Sequence, residues 1–118
     1  MMASKKIDLS IIIVNYNGLQ YLDDCVSSIE LKCIGLSYEV IFVDNKSTDS
    51  SVAFICSHYS WVKVITSDTN LGFSKGNNLG VASSSGENLL LLNSDTVLLT
   101  ELRVFMDIIR TEDIGVVG

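Results

Sequence analysis

The sequence predicts an α/β fold: a doubly wound, mainly parallel sheet with helices on both faces. Apolar, strand-like runs alternate with helix-like segments along the chain, and this βα alternation is typical of parallel sheets. The most apolar run, four leucines at 89–92, has no polar interruption and is followed directly by Asn93, Ser94 and Asp95. Such a strand suits burial on both faces of a parallel sheet. We therefore expect a ligand site beyond the carboxyl ends of the strands.

Composition indicates a well-buried globular protein and argues against nucleic-acid binding. The 118 residues suffice for one domain with a core, and 47% of them are hydrophobic. The formal net charge of −6, from 14 acidic and 8 basic residues, repels polyanions. Three cysteines without a C-x-x-C pair predict reduced, core-filling thiols. No apolar stretch reaches the roughly 18 residues that span a bilayer, so we expect a cytoplasmic protein, with peripheral membrane association of the full-length form as a further option.

The first half of the chain contains two predicted strands, each followed by a helix. The first strand covers residues 9–14, and the helix over residues 19–32 has apolar side chains at spacings of three and four. The second strand covers residues 39–43, and Ser47, with Asp49 and Ser50 nearby, can cap the helix that follows. The residues of that helix expected to face inward are Val52, Ile55, Cys56 and Tyr59.

The next two elements are a short strand and a helix with small residues on one face. Residues 61–65 form the predicted third strand, and residues 73–83 form the helix. Gly76 and Gly80 are four residues apart and so share a face of that helix. We therefore expect close packing of the helix on the sheet.

The last predicted elements follow the leucine run, which is the fourth strand. Thr100 can cap a helix after it, whose buried stripe consists of Leu102, Phe105, Met106 and Ile109. Residues 114–117 begin a fifth strand, and the sequence stops at Gly118 within that apolar run. This end predicts that a larger protein continues beyond residue 118.

Asparagine and aspartate follow each of the first four predicted strands. They are Asn15 and Asn17, then Asp44, Asn45 and Asp49, then Asp68 and Asn70, and finally Asn93 and Asp95. Because parallel strands end at one edge of the sheet, their loops bring these side chains together. Turns in general are rich in such residues, and Asp95 alone would also suit a helix N-cap. The loops at the opposite edge, 35–37 and 84–86, have no acidic or amide side chain, and this asymmetry favours a ligand site.

The chemistry available at this edge is limited to carboxylates, amides and backbone groups. His58, the single histidine, lies near the end of the second predicted helix, so neither a Ser-His nor a Cys-His arrangement is expected. The G-x-G-x-x-G and Walker-type phosphate motifs are absent from the sequence. Carboxylate and amide oxygens suit a hard cation such as Mg²⁺ or Mn²⁺ that also binds phosphate. Asp44 and Asn45 suit hydrogen bonds to a base or a ribose.

Four segments resemble the sequence blocks of glycosyltransferase family 2. They are residues 10–18 (SIIIVNYNG), 43–49 (VDNKSTD), 70–80 (NLGFSKGNNLG) and 91–96 (LLNSDT). The first is similar to the opening strand of that family. The second is similar to the family's second-strand motif, aspartate-(asparagine or aspartate)-x-serine-x-aspartate. The third is similar to a block of the rhamnosyltransferase-like branch, and the last occupies the aspartate-x-aspartate position. Four blocks in this order, spaced as βα units require, make the resemblance specific, and it covers nearly the whole chain.

The resemblance implies a GT-A fold whose N-terminal half binds a nucleotide-diphospho-sugar in the strand-end crevice. The nucleotide-binding residues predicted on this basis are Val14, Asn15, Asp44, Asn45, Lys75, Asn78, Asn93 and Ser94. Asp95 would hold a divalent cation, Mg²⁺ or Mn²⁺, on the diphosphate. Asn93 stands where the fuller motif has aspartate, and an amide holds a metal more weakly, so the cation is expected to arrive with the nucleotide.

We therefore predict the donor-binding half of an inverting, metal-assisted glycosyltransferase of polysaccharide biosynthesis. The family's general base and its site for a saccharide or lipid-linked acceptor lie in the later half, so no catalytic residue is expected in residues 1–118. Asp44 can accept a hydrogen bond from a pyrimidine N3–H, which favours uridine or deoxythymidine donors. One alternative, a sugar-phosphate nucleotidyltransferase, would need a glycine- and arginine-rich loop after the first strand. The other, a non-enzymatic receiver-like signalling domain, would need an acidic cluster there.

Overall fold

Four parallel strands alternate with three helices in the part of the chain that the computed structural model describes, residues 6–103 and Met106. The strands are β1 (Leu9–Asn15), β2 (Tyr38–Asp44), β3 (Lys63–Thr66) and β4 (Asn88–Asn93). The helices are α1 (Leu19–Lys32), α2 (Ser51–His58) and α3 (Gly72–Ala82). Among these residues, no helix is long and apolar enough to cross a membrane.

Helices cover both faces of the sheet, so the predicted doubly wound α/β class is confirmed. Side chains alternate along β1, and Ile11 and Ile13 pack on the face that α1 and α2 cover. Ile12 and Val14 pack on the opposite face, together with side chains of α3. Gly80 lies so close to Ile12 that any Cβ at that position would collide with it. The close packing predicted for α3 is therefore present.

The strand order is β3-β2-β1-β4, with every neighbouring pair parallel. The chain first builds outward from β1 to β3 and then returns to place β4 on the other side of β1. The connections therefore diverge between β1 and β4. In open α/β sheets, the crevice beyond the carboxyl ends at such a switch point is where ligands bind.

β1, not the leucine run, is the strand buried on both faces. All seven residues of β1 are buried because β2 and β4 flank it and helices cover its two faces. In β4, Leu90 and Leu92 are buried, whereas Leu89 and Leu91 are half-buried. The prediction for β4 was wrong because β4 lies at the edge of the described sheet, with β1 as its neighbour.

Two smaller predictions also need correction. Trp61 and Val62 precede β3, which begins at Lys63. Cys56 is exposed, whereas Cys25 and Cys33 are buried as expected, and burial raises the pKa of each buried thiol to about 11. Leu102 and Met106 are buried and helical, as predicted. The rest of the predicted helix after Thr100 and the predicted fifth strand lie outside the described residues.

The amino edge of the sheet also has polar contacts, although its loops at 35–37 and 84–86 have fewer polar side chains than the loops at the carboxyl edge. Glu39 Oε2 accepts hydrogen bonds from Ser10 Oγ and from the backbone N–H of Ser85, both at 2.6 Å. Ser10 Oγ in turn accepts from the backbone N–H of Gly86 at 2.7 Å. These bonds attach the loop before β4 to β1 and β2, and they stabilise the fold at the edge opposite the predicted site.

Candidate functional site

Three hydrogen bonds from its own chain hold the carboxylate of Asp44 at the end of β2. Asn15 Nδ2 donates to Asp44 Oδ1 at 3.0 Å, and Ser47 Oγ donates to the same oxygen at 2.7 Å. The backbone N–H of Ser47 donates to Oδ2 at 2.8 Å. Each carboxylate oxygen can accept about two hydrogen bonds, so Oδ1 is saturated and Oδ2 has one position left. Asp44 is 2% exposed, so little of its carboxylate is accessible to a ligand.

Ser47 and Asn17 join the loops that follow β1 and β2. Ser47 Oγ accepts from the backbone N–H of Asn17 at 2.8 Å and from Asn15 Nδ2 at 3.2 Å. Asn17 has a φ of 52°, a left-handed conformation that asparagine tolerates well. Its Oδ1 accepts from the backbone N–H groups of Thr48 at 2.7 Å and Asp49 at 3.3 Å. The two loops are therefore held together by side chain-to-backbone bonds in both directions.

Asp49, not Ser47, contacts the start of α2. Its carboxylate accepts from the backbone N–H and the hydroxyl of Ser51, and also from the backbone N–H of Leu19 at 3.2 Å. Desolvation acts to raise the pKa of Asp49, but the hydrogen bonds from Ser51 and Leu19 outweigh it and lower that pKa. Ser47 was predicted to cap α2. That prediction was wrong because Asp44 and Asn17 use the Ser47 hydroxyl.

Asn45 attaches the loop before α3 to the end of β2. Its Nδ2 donates to the carbonyl of Gly72 at 3.1 Å, and its Oδ1 accepts from the backbone N–H of Leu71 at 3.3 Å. The side chain is buried, with 2% of the residue exposed. Asn45 therefore fixes the position of α3, and its predicted contact with a base or ribose remains a prediction.

Lys75 and Asn78 are exposed residues of α3. Neither side chain forms a hydrogen bond within the described residues. Gly76 faces the end of β1, and a Cβ at this position would lie 2.9 Å from Val14 Cγ1. The absence of a side chain at Gly76 thus lets the first turns of α3 approach the carboxyl edge, where a lysine and an amide are available to an anion.

The turn after β4 presents Asn93 and Asp95 to solvent. It is closed by a hydrogen bond from the backbone N–H of Thr96 to the carbonyl of Asn93, at 3.0 Å. The chain then runs along α1, where the backbone N–H of Leu98 donates to Ser28 Oγ at 3.0 Å. Both Asn93 and Asp95 are exposed, and their side chains form no hydrogen bond within the part of the chain described.

Asp95 fits a cation that a nucleotide brings with it better than a preformed metal centre. No group of three or more His, Cys, Asp or Glu residues that could hold a metal occurs among residues 6–103 and 106. Mg²⁺ in phosphate-binding sites is usually held by one or two carboxylates together with substrate phosphates and water. Asp95, a single exposed carboxylate in the turn after β4, is compatible with such a site.

Gly18 lies where the ends of β1 and β4 meet. A Cβ at Gly18 would be 2.5 Å from Asn15 Oδ1 and 2.6 Å from Ser94 Oγ. The two oxygens therefore border the same point from different strands. Val14 pairs with Asn93 in the β1–β4 register, which places Asn15 and Ser94 next beyond that pair.

One residue at the carboxyl edge, Tyr16, has no role assigned in the sequence analysis. Tyr16 follows β1 directly and is 52% exposed, so its ring is available at the carboxyl edge. An aromatic residue between the two asparagines of NYNG was the available signal. His58, in contrast, lies at the last position of α2, as predicted. It is exposed, and its ring stacks on Phe54.

A known family model matches almost the whole chain that carries these polar groups. The model of the family "Glycosyl transferase family 2" matches residues 10–118. The chain belongs to glycosyltransferase family 2. The family resemblance read from the four sequence blocks is thereby confirmed, and the nucleotidyltransferase and receiver-domain alternatives are not supported.

Two curated relatives illustrate the similarity of sequence. Glycosyltransferase GlyG of Streptococcus pneumoniae is 31% identical over 94 residues, which cover 76% of this chain and 31% of GlyG. The low-salt glycan biosynthesis hexosyltransferase Agl10 of Haloferax volcanii is 39% identical over 92 residues, covering 75% of this chain and 28% of Agl10. The chain thus spans about a third of the length of these relatives.

Solved structures show the same fold. Staphylococcus aureus TarS 1–349 in complex with UDP matches with a TM-score of 0.82 and 26% identity, covering 91% of this chain and 33% of that one. The complex of the same protein with UDP-GlcNAc matches with a TM-score of 0.81. The mannosyltransferase PcManGT of Pyrobaculum calidifontis, in complex with GDP-Man and Mn²⁺, has a TM-score of 0.75 at 15% identity, a likeness of fold alone. The predicted GT-A fold is confirmed.

Proposed function

We propose that this chain is the donor-binding half of an inverting glycosyltransferase and binds a nucleotide-diphospho-sugar at the carboxyl edge of its sheet. Membership of glycosyltransferase family 2 supports sugar transfer as the chemistry. The TarS complexes with UDP and UDP-GlcNAc, at 26% identity, support a uridine nucleotide as the donor class. The switch point between β1 and β4 offers the crevice that such a ligand needs.

The observation on which this proposal depends is the state of the Asp44 carboxylate. Asn15 and Ser47 saturate Oδ1, and one acceptor position remains on Oδ2. A uracil or thymine ring presents a single N–H, at N3, which matches one acceptor. Guanine presents two adjacent donors and would leave one of them without a partner, at a cost of about 1–3 kcal/mol. The site therefore favours uridine or deoxythymidine diphosphate donors.

The remaining nucleoside contacts come from the residues around the end of β1. The half-exposed ring of Tyr16 offers a surface for a base, since aromatic stacking is tolerant of base identity. Val14 and Asn15 border the same end of the strand, and Asn45 holds α3 beside it. The base would thus be selected by Asp44 and supported by Tyr16.

The diphosphate would lie between α3 and the turn after β4. Lys75 and Asn78 supply a cation and an amide from α3, and Asn93 and Ser94 supply polar groups from the turn. Asp95 would hold Mg²⁺ or Mn²⁺ on the diphosphate, where the cation offsets charge on the leaving group. The negative net charge of −6 makes such a cation useful for bringing a diphosphate to this surface.

We assign the acceptor site and the general base to the later part of a longer protein, because the chain spans about a third of the relatives it matches. The single histidine lies at the end of α2 and is unsuited to the role. The block at 70–80 suggests the rhamnosyltransferase-like branch of the family, and a role in polysaccharide biosynthesis follows from that branch.

Calorimetric titration of UDP in the presence of Mn²⁺ tests the donor site. The wild-type protein should bind UDP, and Lys75→Ala should weaken that binding in a salt-dependent way. Lys32→Ala is the matched control, because Lys32 lies in the last turn of α1, at the opposite edge of the sheet. Failure of the wild type to bind UDP, or an equal loss in both variants, would contradict the proposal.

A further inference from the structure

Asn15 has a buried carboxamide oxygen without a hydrogen-bond partner. Asn15 is fully buried, and its Oδ1 accepts no hydrogen bond. The Nδ2 group donates to Asp44 Oδ1 and Ser47 Oγ, which fixes the orientation of the carboxamide. Turning the amide over would place Oδ1 against the Asp44 carboxylate, two acceptors in contact. A buried acceptor left in this state is costly, so a donor for it is expected in some state of the protein.

Ser94 has the nearest unused hydroxyl on the facing strand end. Its Oγ borders Gly18 at 2.6 Å from the position of a Cβ, and Asn15 Oδ1 borders the same position at 2.5 Å. The Ser94 hydroxyl forms no hydrogen bond within the described residues. A movement of the turn after β4 could bring this donor to the unpartnered acceptor, because both oxygens border the position of a Gly18 Cβ and glycine has no side chain there.

We propose that Ser94 is a positioning residue whose hydroxyl donates to Asn15 Oδ1 when a metal-bound nucleoside diphosphate occupies the crevice. This inference rests on the proposed function, because Asp95, the next residue, is the predicted metal ligand. The contact would extend the chain of hydrogen bonds from Ser94 through Asn15 to Asp44. It would join the turn that holds the diphosphate to the carboxylate that selects the base.

The proposed contact between Ser94 and Asn15 also depends on Gly18. Its φ of −99° is accessible to any residue, so the glycine is not needed for the backbone conformation. A methyl group at this position would instead press against both oxygens and separate Ser94 from Asn15. Gly18→Ala therefore removes the contact while leaving both polar side chains in the protein.

The test compares the affinities for uridine and for UDP in the presence of Mn²⁺. Calorimetry measures the UDP affinity directly and the uridine affinity by competition with UDP. Ser94→Ala should weaken UDP binding by roughly two- to tenfold, the range for one lost hydrogen bond, and leave uridine affinity unchanged. Ser94→Thr, which keeps the hydroxyl, should bind like the wild type. Gly18→Ala should reproduce the defect, and Ser94→Ala should add nothing in the Gly18→Ala background.

Several outcomes would overturn the inference. If Ser94→Ala weakens UDP binding equally in the wild-type and Gly18→Ala backgrounds, the effect of Ser94 on UDP does not pass through Asn15. If uridine and UDP lose affinity together, the substitution loosens the whole site. If Ser94→Ala leaves UDP affinity unchanged, Ser94 has no role in UDP binding. A wild-type protein that binds neither uridine nor UDP would overturn the proposed function itself, and that result is recognised without any variant.

Discussion

The hydroxyl of Ser47 lies 2.7 Å from Oδ1 of Asp44, and this contact makes the carboxylate at the end of β2 part of the loop that follows it. The same hydroxyl accepts from the backbone of Asn17, in the loop after β1. Ser47 therefore holds two neighbouring loops in register at the edge where the ligand is expected. Much of the polarity at this edge shapes the site and is not free to contact a ligand.

Replacing Ser47 should destabilise the protein. Ser47→Ala leaves the Asn17 backbone N–H without its acceptor and removes one donor to Asp44. We expect a loss of about 1–3 kcal/mol in the free energy of unfolding, measured by urea denaturation. Ser60→Ala is the control, because Ser60 is exposed and its side chain forms no hydrogen bond within the described residues. Equal stability of the two variants would show that the Ser47 contacts contribute little in solution.

The donor nucleotide should be a pyrimidine. UDP or dTDP should bind more tightly than GDP in Mn²⁺, since one acceptor position on Asp44 Oδ2 suits a single ring N–H. Titration of all three nucleotides by calorimetry gives the comparison directly. A preference for GDP would contradict the assignment of Asp44 as the residue that selects the base.

Asp95→Ala should separate a metal ligand from a helix cap. As a ligand, Asp95 contributes little to the metal-free fold, so stability should change by no more than about 0.5 kcal/mol. UDP affinity in Mn²⁺ should fall, and most of its metal dependence should disappear. As a cap, Asp95 would instead cost about 0.5–2 kcal/mol of stability on replacement and leave binding intact. Asp24→Ala, an exposed carboxylate on α1, controls for loss of a negative charge.

Asp49 should contribute stability that is lost in acid. Its folded-state pKa lies below the ordinary value of 3.8, so folding favours the charged form, and the unfolded state binds more protons. The stabilisation should be fully present above that ordinary value and disappear as pH falls through the lower folded-state pKa. The difference in unfolding free energy between wild type and Asp49→Asn should therefore shrink from neutral pH to strongly acidic pH. A difference that is independent of pH would show that the carboxylate charge is not responsible.

Sugar transfer by this chain alone should be at background. The proposed division of labour assigns the base and the acceptor site to a later part of the protein, so donor binding should occur without turnover. Release of UDP from a UDP-sugar, with and without a saccharide acceptor, is the measurement. Robust transfer by the purified 118-residue chain would show that the catalytic machinery is complete within it.

The sequence was sufficient for the α/β class, the order of the elements and the family, because periodicity and motif spacing are local properties. The prediction that the leucine run is buried on both faces was wrong, because burial of β4 depends on which strands flank it and not on its own composition. The assignment of Asn15 and Asn45 to the nucleotide stays a prediction, but the sequence could not show that both side chains also bond within the chain. Residue type indicates what a side chain can bond, whereas the partners of Asn15 Nδ2 and Asn45 Nδ2 lie up to 32 positions away.

The central position of β1 also has a consequence for the order of folding. β1 pairs with β2, about 30 residues later, but its other edge pairs with β4, where Leu9 meets Asn88. During synthesis a β1–β2–β3 sheet can therefore form while the backbone N–H and C=O groups on the second edge of β1, a largely apolar strand, are still unpaired. An unpaired edge on such a strand is prone to pair with other chains. Premature termination before residue 88 should for this reason give an aggregating product, and not a smaller folded domain.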